Sequence, residues 1–424
     1  MVRMVPPGKT AERLDGLAAV VDAIRSGGGV TQPQLVQQIG LGRSVVSQRV
    51  AELEAAGLVA AAGLGPSTGG RAPRRLRLRA EAGLVAGVAC GATGMAVGIA
   101  DLNGRILARA EEPTDVADGP EAVLSHSENV IDRLLEKLPD PPPLWGIGVG
   151  VPGPVEFATG FPVSPPIMPG WDGYPIRRRL SRRYAAPVWV DNDVNLLALG
   201  ELRSDPRYAA VDDMLFVKIG TGIGAGLISG RRLHRGTNGC AGDIGHIAVA
   251  QAEQVVCRCG NVGCLEAVAG GPALARDARR LAERGEGPQL TAILAAQGDI
   301  TAADVTAAAD RGDPAARALL AGAGRLVGDT LATLVSFYNP GLVVLGGGVA
   351  QAGDYVLAAI RESVYRRSLP LATRTLRIEL SGLAETSGLA GAVHLVLDEL
   401  FTPERMSAWL PFSSPAGRPE LVGA

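Results

Sequence analysis

Residues 246–266 read HIAVAQAEQVVCRCGNVGCLE. Three of the chain's five cysteines, Cys257, Cys259 and Cys264, fall within eight positions, and His246 stands eleven positions upstream of the first. Two chemistries fit such a cluster. A CxC hairpin can close a disulfide and work as a redox pair. An upstream His with a fourth donor suits tetrahedral zinc better, and three thiolates with one imidazole fill its coordination shell, leaving no position for a reactive water. A metal there is expected to hold shape rather than to do chemistry.

Outward from this stretch the chain reads as an α/β body. LVAGVACGATGMAVGIADLNGRILAR (84–109) predicts three strands in a meander, WGIGVGV (145–151) a buried strand, and PVWVDNDVNLLALGE (187–201) a strand running into a helix. MLFVKIGTGIGAGLISGRRL (214–233) predicts a hairpin, an Ala-rich helical region covers about 271–338, and SGLAGAVHLVLDELF (387–401) is the last clear helix. Glycine turns follow strands three times, as GATG (91–94), GTGIGAG (220–226) and LGGG (345–348). A glycine turn is often only a turn. Three of them spread over two halves fit a nucleotide held in a cleft, its phosphates met by backbone N–H groups. Gly91, Thr93, Gly220, Thr221, Gly222, Gly346 and Gly347 are the candidates for that contact.

Asn192-Asp193 sits where a strand gives way to a helix. A carboxylate there lies at the mouth of a cleft and can take a proton from a sugar hydroxyl attacking phosphorus. The same two residue types also favour helix starts for local hydrogen-bonding reasons. The sequence leaves both readings open. Trp145, Trp171 and Trp189, and the thiols Cys90 and Cys240 outside the cluster, read as buried packing.

The first eighty residues are different in kind. Residues 10–26 place Leu14, Leu17, Val20, Val21 and Ile24 on one helical face, ended by Gly27-Gly28-Gly29. Thr31 caps a short helix with Pro33 in its first turn, Gly40-Leu41-Gly42 turns the chain, and a third helix follows with Val46, Val50, Leu53 and Leu58 facing inward. This is a helix-turn-helix pattern. Arg43, Ser44, Ser47, Gln48 and Arg49 lie on the outer face near the start of the third helix, where a recognition helix meets base edges and phosphates. Residues 57–79 then predict two strands around a Gly/Pro-rich tip, a wing bearing Arg71, Arg74, Arg75, Arg77 and Arg79. An ordinary helical bundle with a charged surface is the plain alternative.

Charge follows the same division. The net charge is −2, but residues 1–80 carry eleven Arg/Lys against five Asp/Glu, net +6, and the remainder is net −8. A basic end on an acidic body points to double-stranded DNA as partner at that end. At 424 residues, 47% hydrophobic and 20% charged, the chain is globular and too long for one core. An odd cysteine count does not make a secreted disulfide framework. With no apolar signal core and no run of about 18 apolar residues expected to span a membrane, a cytoplasmic protein is expected.

With these motifs in hand the chain resembles the ROK family (repressor, open reading frame, kinase) over nearly all of residues 10–400. The most specific match is GDIGHIAV followed by CRCGNVGCLE. VDNDVNLLALGE, GTGIGAG, TNGCAGDIGH and LGGGVA match as well, and GGRAP (69–73) resembles the wing of the family's transcription factors. The resemblance implies an actin-like, ribonuclease H-like body of two lobes behind a winged helix-turn-helix. It implies structural zinc on His246, Cys257, Cys259 and Cys264, and a sugar contacted by Asn192, Asp193, Asp243, His246 and Glu266, with Asp193 as base in the kinases. Three departures matter. The first phosphate loop of the kinases, D-I-G-G-T, here reads Ala89-Cys90-Gly91-Ala92-Thr93, and an alanine cannot replace an oxygen ligand of magnesium. The Glu of A-G-E-I-G-H is Asp243, one methylene shorter. Ile167 stands where a sugar-contacting Asn often precedes P-G-W.

The expected division is a DNA-binding head at 1–80, a first lobe at 81–193 completed by the helix at 386–401, a second lobe with the zinc site at 194–385, and a tail at 402–424. The expected function is a sugar-responsive regulator, most simply a repressor of carbohydrate genes. It would bind an operator as a homodimer or homotetramer and sense a sugar or sugar phosphate with a degenerate kinase body. The alternative is an ATP-dependent sugar kinase, against which the loss of the magnesium ligand at Ala89 argues.

Overall fold

The computed structural model describes residues 7–422 apart from 28, 66–71, 251–253, 353, 384 and 385. Helices α1 (Pro7–Gly27), α2 (Gln32–Ile39) and α3 (Arg43–Ala55) pack against an antiparallel sheet of β1 (Val30–Thr31), β2 (Val59–Leu64) and β3 (Arg74–Leu78), in the order β1-β3-β2. Thr31 and Gln34 form a reciprocal capping box at the start of α2, and Gly40 ends it at φ +73°. Val46, Val50 and Leu53 of α3 are buried against Leu17, Val20 and Ile24 of α1. This is a winged helix-turn-helix. The wing tip, Arg71 included, lies outside the described residues.

A five-stranded sheet follows. It comprises β4 (Leu84–Cys90), β5 (Gly94–Asp101), β6 (Ile106–Pro113), β7 (Leu144–Val151) and β10 (Val188–Asn192), ordered β10-β7-β4-β5-β6. The short hairpin β8 (Val155–Glu156) and β9 (Phe161–Pro162), with helices α4 (Pro120–Glu136) and α5 (Ile176–Tyr184), completes this lobe. β4 and β7 are apolar almost throughout because both faces are covered. Helix α6 (Asp193–Ser204) leads to the second sheet, β11 (Met214–Ile219), β12 (Ile223–Ser229), β13 (Arg232–His234), β14 (Leu342–Gly346) and β15 (Arg377–Leu380), ordered β13-β12-β11-β14-β15. The Ala-rich region resolves into separate helices: α7 (Glu266–Ala269), α8 (Gly271–Glu283), α9 (Pro288–Gln297), α10 (Ala302–Asp310) and α11 (Pro314–Tyr338). Helices α12 (Asp354–Arg367) and α13 (Pro370–Thr373) follow. By length and composition α11 could cross a membrane, against the expectation of no such run. Arg317, Arg325 and Asp329 interrupt it, and its apolar residues Leu320, Val327, Leu331 and Val335 belong to the core of this lobe.

Helix α14 (Thr386–Leu400) crosses back onto the first sheet. Its contact with α6 is made by backbone: a Cβ on Gly391 would stand 1.8 Å from Leu196 O, and one on Gly200 1.9 Å from Ser387 O. Only glycine lets the two helices approach so closely. The far side of α6 meets β12, where a Cβ on Gly226 would lie 2.5 Å from that of Ala198. Thus α6 is wedged between the two sheets, and its first residue opens into the gap between them.

Residues 402–424, expected as a tail, are instead built into the body as far as they are described. Helix α15 (Pro403–Trp409) packs on α1 of the head. Trp409 is fully buried, edge-on to Trp145 at 5.4 Å and to Phe401 at 6.0 Å, and its indole N–H donates to Leu400 O at 2.9 Å. The chain then returns to the first lobe, where Gly417 N donates to Ala185 O. An apolar helix of seven residues is too short for a periodicity signal. The outcome is one continuous core running from Leu17 and Val21 in the head through Trp145 and Trp409 to Val393 and Leu397 of α14.

Candidate functional site

Strand β10 ends at Asn192 and α6 begins at Asp193, and the two open readings of this pair separate cleanly. Asn192 is the cap: its side-chain oxygen accepts from Val194 N at 2.9 Å, and its amide donates to Gly153 O at 2.8 Å. Asp193 is released from that duty, and its carboxylate accepts from Lys218 Nζ at 2.6 Å. Behind them Asp191, 2% exposed, accepts from Asn192 N, Asn195 Nδ2 and Arg235 Nε. Cys90 packs beneath. Burial, with the charge of Asp193, pushes its thiol up to about 12, which leaves it a packing residue.

The glycine turns approach this point because of the sheet order. β11 and β14 are parallel neighbours, pairing Lys218 with Gly346, so their terminal turns lie side by side. A Cβ on Gly347, at φ +89°, would sit 2.5 Å from Ile219 O. Gly220 N closes its own turn on Gly222 O at 2.9 Å. Gly222 is bare because Glu266 lies over it: a Cβ there would be 2.5 Å from Glu266 Oε2, which accepts from Ile223 N at 3.0 Å. From the first lobe, Gly91 N donates to Gly94 O, presenting Ala92 to the gap.

The result is an open cleft, about 980 Å³ including the space open to solvent, that brings together Asn192, Asp193, Asp243, His246, Glu266, Thr221 and Gly222. Gly91, Thr93, Gly220, Gly346 and Gly347 are not among the residues that line it. Ile167 lines the cleft, an apolar wall where a polar contact is common in the family. Ala89 is half-buried against the start of α14, 3.4 Å from where a Cβ on Gly388 would be. Cys240, expected in a packed core, is exposed and lines the cleft. Its segment turns on Gly239 and Gly242, at φ +87° and +101°, which holds it at the surface. Lys218 and Arg258 also line the cleft and were not anticipated.

His246 ends a short 3-10 turn, Ile244–His246, at the cleft wall. Its Nδ1 lies 3.8 Å from Cys257 Sγ and its Nε2 3.8 Å from Asp243 Oδ1. Cys259 Sγ and Cys264 Sγ are 3.7 Å apart, and all four donor atoms fall within 4.8 Å of one another. A tetrahedral zinc with sulfur arms of about 2.3 Å has S···S edges of about 3.8 Å, whereas a disulfide needs about 2.05 Å. The four donors therefore fit a metal ion, and the cysteines are free thiols. A small backbone knuckle shapes the cage, with Cys257 N donating to Asn261 O and Gly260 and Gly263 both at φ +90°.

On the head, Arg43, Ser44, Ser47 and Gln48 are exposed at the start of α3. Arg49, expected beside them, is turned inward: its side chain is 11% exposed, lies over Gly16 of α1 and pairs with Glu52 at 2.8 Å. The absence of a side chain at Gly16 leaves the room, and Glu52 one turn on supplies the charge. At the base of the wing Arg74 reaches Glu54 at 3.2 Å, Arg75 donates to Gly29 O, and Arg77 pairs with Glu81.

Comparison with known proteins agrees with both parts. The sequence model of the ROK family matches residues 85–399, and that of the MarR family matches residues 18–65. The chain is 28% identical over 374 residues to the xylose repressor of Caldicellulosiruptor bescii, covering 88% of this chain and 93% of that protein. It is 33% identical over 311 residues to the glucokinase of Halalkalibacterium halodurans, covering 73% of this chain and 94% of that one. A solved ROK family transcriptional regulator, a homologue of the E. coli MLC protein, superposes with a TM-score of 0.80 at 23% identity, over 95% of this chain and 100% of that one. This last likeness concerns the fold.

Proposed function

The chain belongs to the ROK family, and on that footing we propose that it is a sugar-responsive transcriptional repressor of genes for carbohydrate uptake or metabolism. The observation that carries the reading is the continuous core joining the head, with its exposed recognition-helix start, to α6, whose first residues line the cleft. Residues 1–80 act as the DNA-binding head. Residues 81–193 with 386–401, and 194–385, act as the two lobes of the sensor. The protein binds double-stranded operator DNA as a homo-oligomer, a pair being the simplest arrangement for two half-sites. Asn192, Asp193, Asp243, His246 and Glu266 take the hydroxyls of the effector, which must bind the two head arrangements unequally to shift operator affinity. His246, Cys257, Cys259 and Cys264 hold zinc, whose part is to fix the knuckle between His246 and Glu266.

Operator binding tests the head. Replacing Arg43 and Gln48 together by Ala removes two side chains that can bond base edges, each worth about 1–3 kcal/mol of discrimination. Specific affinity in a gel shift is expected to fall at least about 30-fold, with non-specific binding little changed. Unaltered specific binding would sink the recognition-helix assignment.

Asp193 in the cleft keeps a second reading in view, an ATP-dependent sugar kinase. Two features oppose it: Ala89 stands where the kinases have a magnesium ligand, and Lys218 already engages one oxygen of the Asp193 carboxylate. No ADP release above background is expected across common hexoses, pentoses and N-acetyl hexosamines. Robust turnover abolished by Asp193→Asn would reverse the ranking.

A further inference from the structure

Arg235 ties the wall of the cleft to the core that carries the head. Residues 239–243 line the cleft, and they belong to the loop that leaves β13 of the second lobe. The loop closes on itself, with Ala241 N donating to Arg235 O at 3.1 Å. One flank is pinned to its own lobe, where Ala225 N donates to Gly242 O at 2.8 Å. The other presses on the first lobe: a Cβ on Gly239, at φ +87°, would stand 2.3 Å from Val155 O. A displacement of this wall against the first lobe acts on the base of the loop, which is Arg235.

The Arg235 guanidinium reaches across to three groups. Its Nε donates to Asp191 Oδ2 at 2.7 Å, its Nη1 lies 3.9 Å from Glu399 Oε1, and its Cζ lies 3.6 Å from the centroid of the Phe157 ring. Asp191 is the buried carboxylate behind Asn192, and its other oxygen accepts from Asn192 N and Asn195 Nδ2. Phe157 packs against the core that head and body share. Glu399 lies near the end of α14, beside Asp398, which holds Arg25 of the head. Burial pushes the Glu399 carboxyl above its usual range, against the charges of Arg235 and of Arg405 on α15. An arginine suits this place because its planar fork serves two carboxylates and stacks on a ring at once. The two carboxylates are held unequally. The bond to Asp191 is made, whereas the pair with Glu399 is about 1 Å longer than a charge-assisted hydrogen bond of about 2.8 Å. A shift of the loop by that amount is enough to change which carboxylate holds the guanidinium.

We propose that Arg235 is the positioning residue that relays effector binding to the head: a ligand bridging the 239–243 wall and Asn192-Asp193 changes how the guanidinium is shared between Asp191 and Glu399, and so moves the end of α14. The proposal rests on the sugar-sensor reading above and deepens it by naming the residue through which the sensor acts. Arg235 is not among the residues that line the cleft, so it acts through others and touches no ligand. Its part is the coupling between two binding events, a quantity separate from the strength of either.

The test uses the full-length protein on its own promoter DNA. Common hexoses, pentoses and N-acetyl hexosamines, with their phosphate esters, are screened, and the compound that releases the wild-type complex becomes the probe. Calorimetry gives the affinity for the probe, and gel shift gives operator affinity with and without it. Couplings between two sites run from about 5-fold to about 150-fold. In Glu399→Gln, which keeps the size and removes the charge, the ratio of the two operator affinities is expected to collapse to about twofold or less. Affinity for the probe, and for the operator without probe, is expected to stay within about threefold of wild type. Arg235→Lys keeps the charge but not the fork and is expected to do the same, and the double variant to lose no more coupling than either single one. A ratio retained in Glu399→Gln, with or without a lower melting point, overturns the proposal while leaving the sensor reading standing. So do losses that add in the double variant, or a loss that weaker probe binding accounts for. So does a Glu399→Gln protein that no longer binds operator without probe, since the residue then holds the head rather than relaying to it. A wild-type protein that binds no compound of the screen, and whose operator complex none releases, overturns the sensor reading and the proposal together.

Discussion

Replacing Cys257 by Ser is expected to empty the metal cage, lower the thermal midpoint and blunt the effector response in a single step. The cage has four donors within 4.8 Å and nothing to spare, so losing one thiolate leaves three ligands for an ion that binds structurally with four. Binding energy at such a site is folding energy. With a loss of about 3 kcal/mol or more, the midpoint falls by roughly 6–12 °C, at about 2–4 °C per kcal/mol for a unit of this size. The effect on the response follows from the ring of His246. Its Nδ1 faces Cys257 and its Nε2 faces Asp243, so a metal held by the cluster would share one imidazole with the cleft. Zinc content by metal analysis, a melting curve and operator release by sugar are the three readouts. A variant that lost its zinc but kept a full response would reduce the cluster to scaffolding.

Trp409→Ala is expected to cost several kcal/mol of stability. The indole is fully buried, wedged against Trp145 and Phe401, and its N–H is satisfied by Leu400 O. Truncating a buried Trp costs about 3–5 kcal/mol, and here the cavity opens where α1 and α15 meet the first lobe. Urea unfolding should show the loss, and limited proteolysis should cut first between the head and the body. Near α15 the head is also tied by charge, Arg25 to Asp398 at 3.8 Å with its guanidinium over the Phe401 ring at 5.2 Å. Operator binding that stays sugar-responsive at wild-type stability would show that α15 does not join the two parts.

What could be read from the sequence was local. The cysteine spacing, the capping Thr31, the glycine turns and the strand-to-helix step at Asn192 are short-range patterns, and each of these forms in place. What could not be read depends on contacts between elements remote in sequence. Lys218 in VKIG is an ordinary strand residue until α6 brings Asp193 to it across twenty-five positions. Arg49 lies on the polar side of a helical wheel, yet Gly16 of another helix makes room for it. Cys240 looked apolar enough for a core, but two left-handed glycines hold its loop at the surface. Trp409 had no periodic neighbours to announce it.

The close crossing of α6 and α14 has a mechanical consequence. With backbone touching backbone at Gly391 and Gly200, neither helix can slide on the other without collision. The pair therefore turns as one rigid lever. One end is Asn192-Asp193, in the cleft lining. The other carries Asp398, which holds both Arg203 of α6 and Arg25 of the head. Helix α14 has 15 residues, about 22 Å at a rise of 1.5 Å each. A tilt of about 5° at the cleft moves the far end by about 2 Å over that length. In the proposed homo-oligomer, two heads reading half-sites about 34 Å apart would have to match the pitch of DNA, and a displacement of that size in each would be enough to spoil the match.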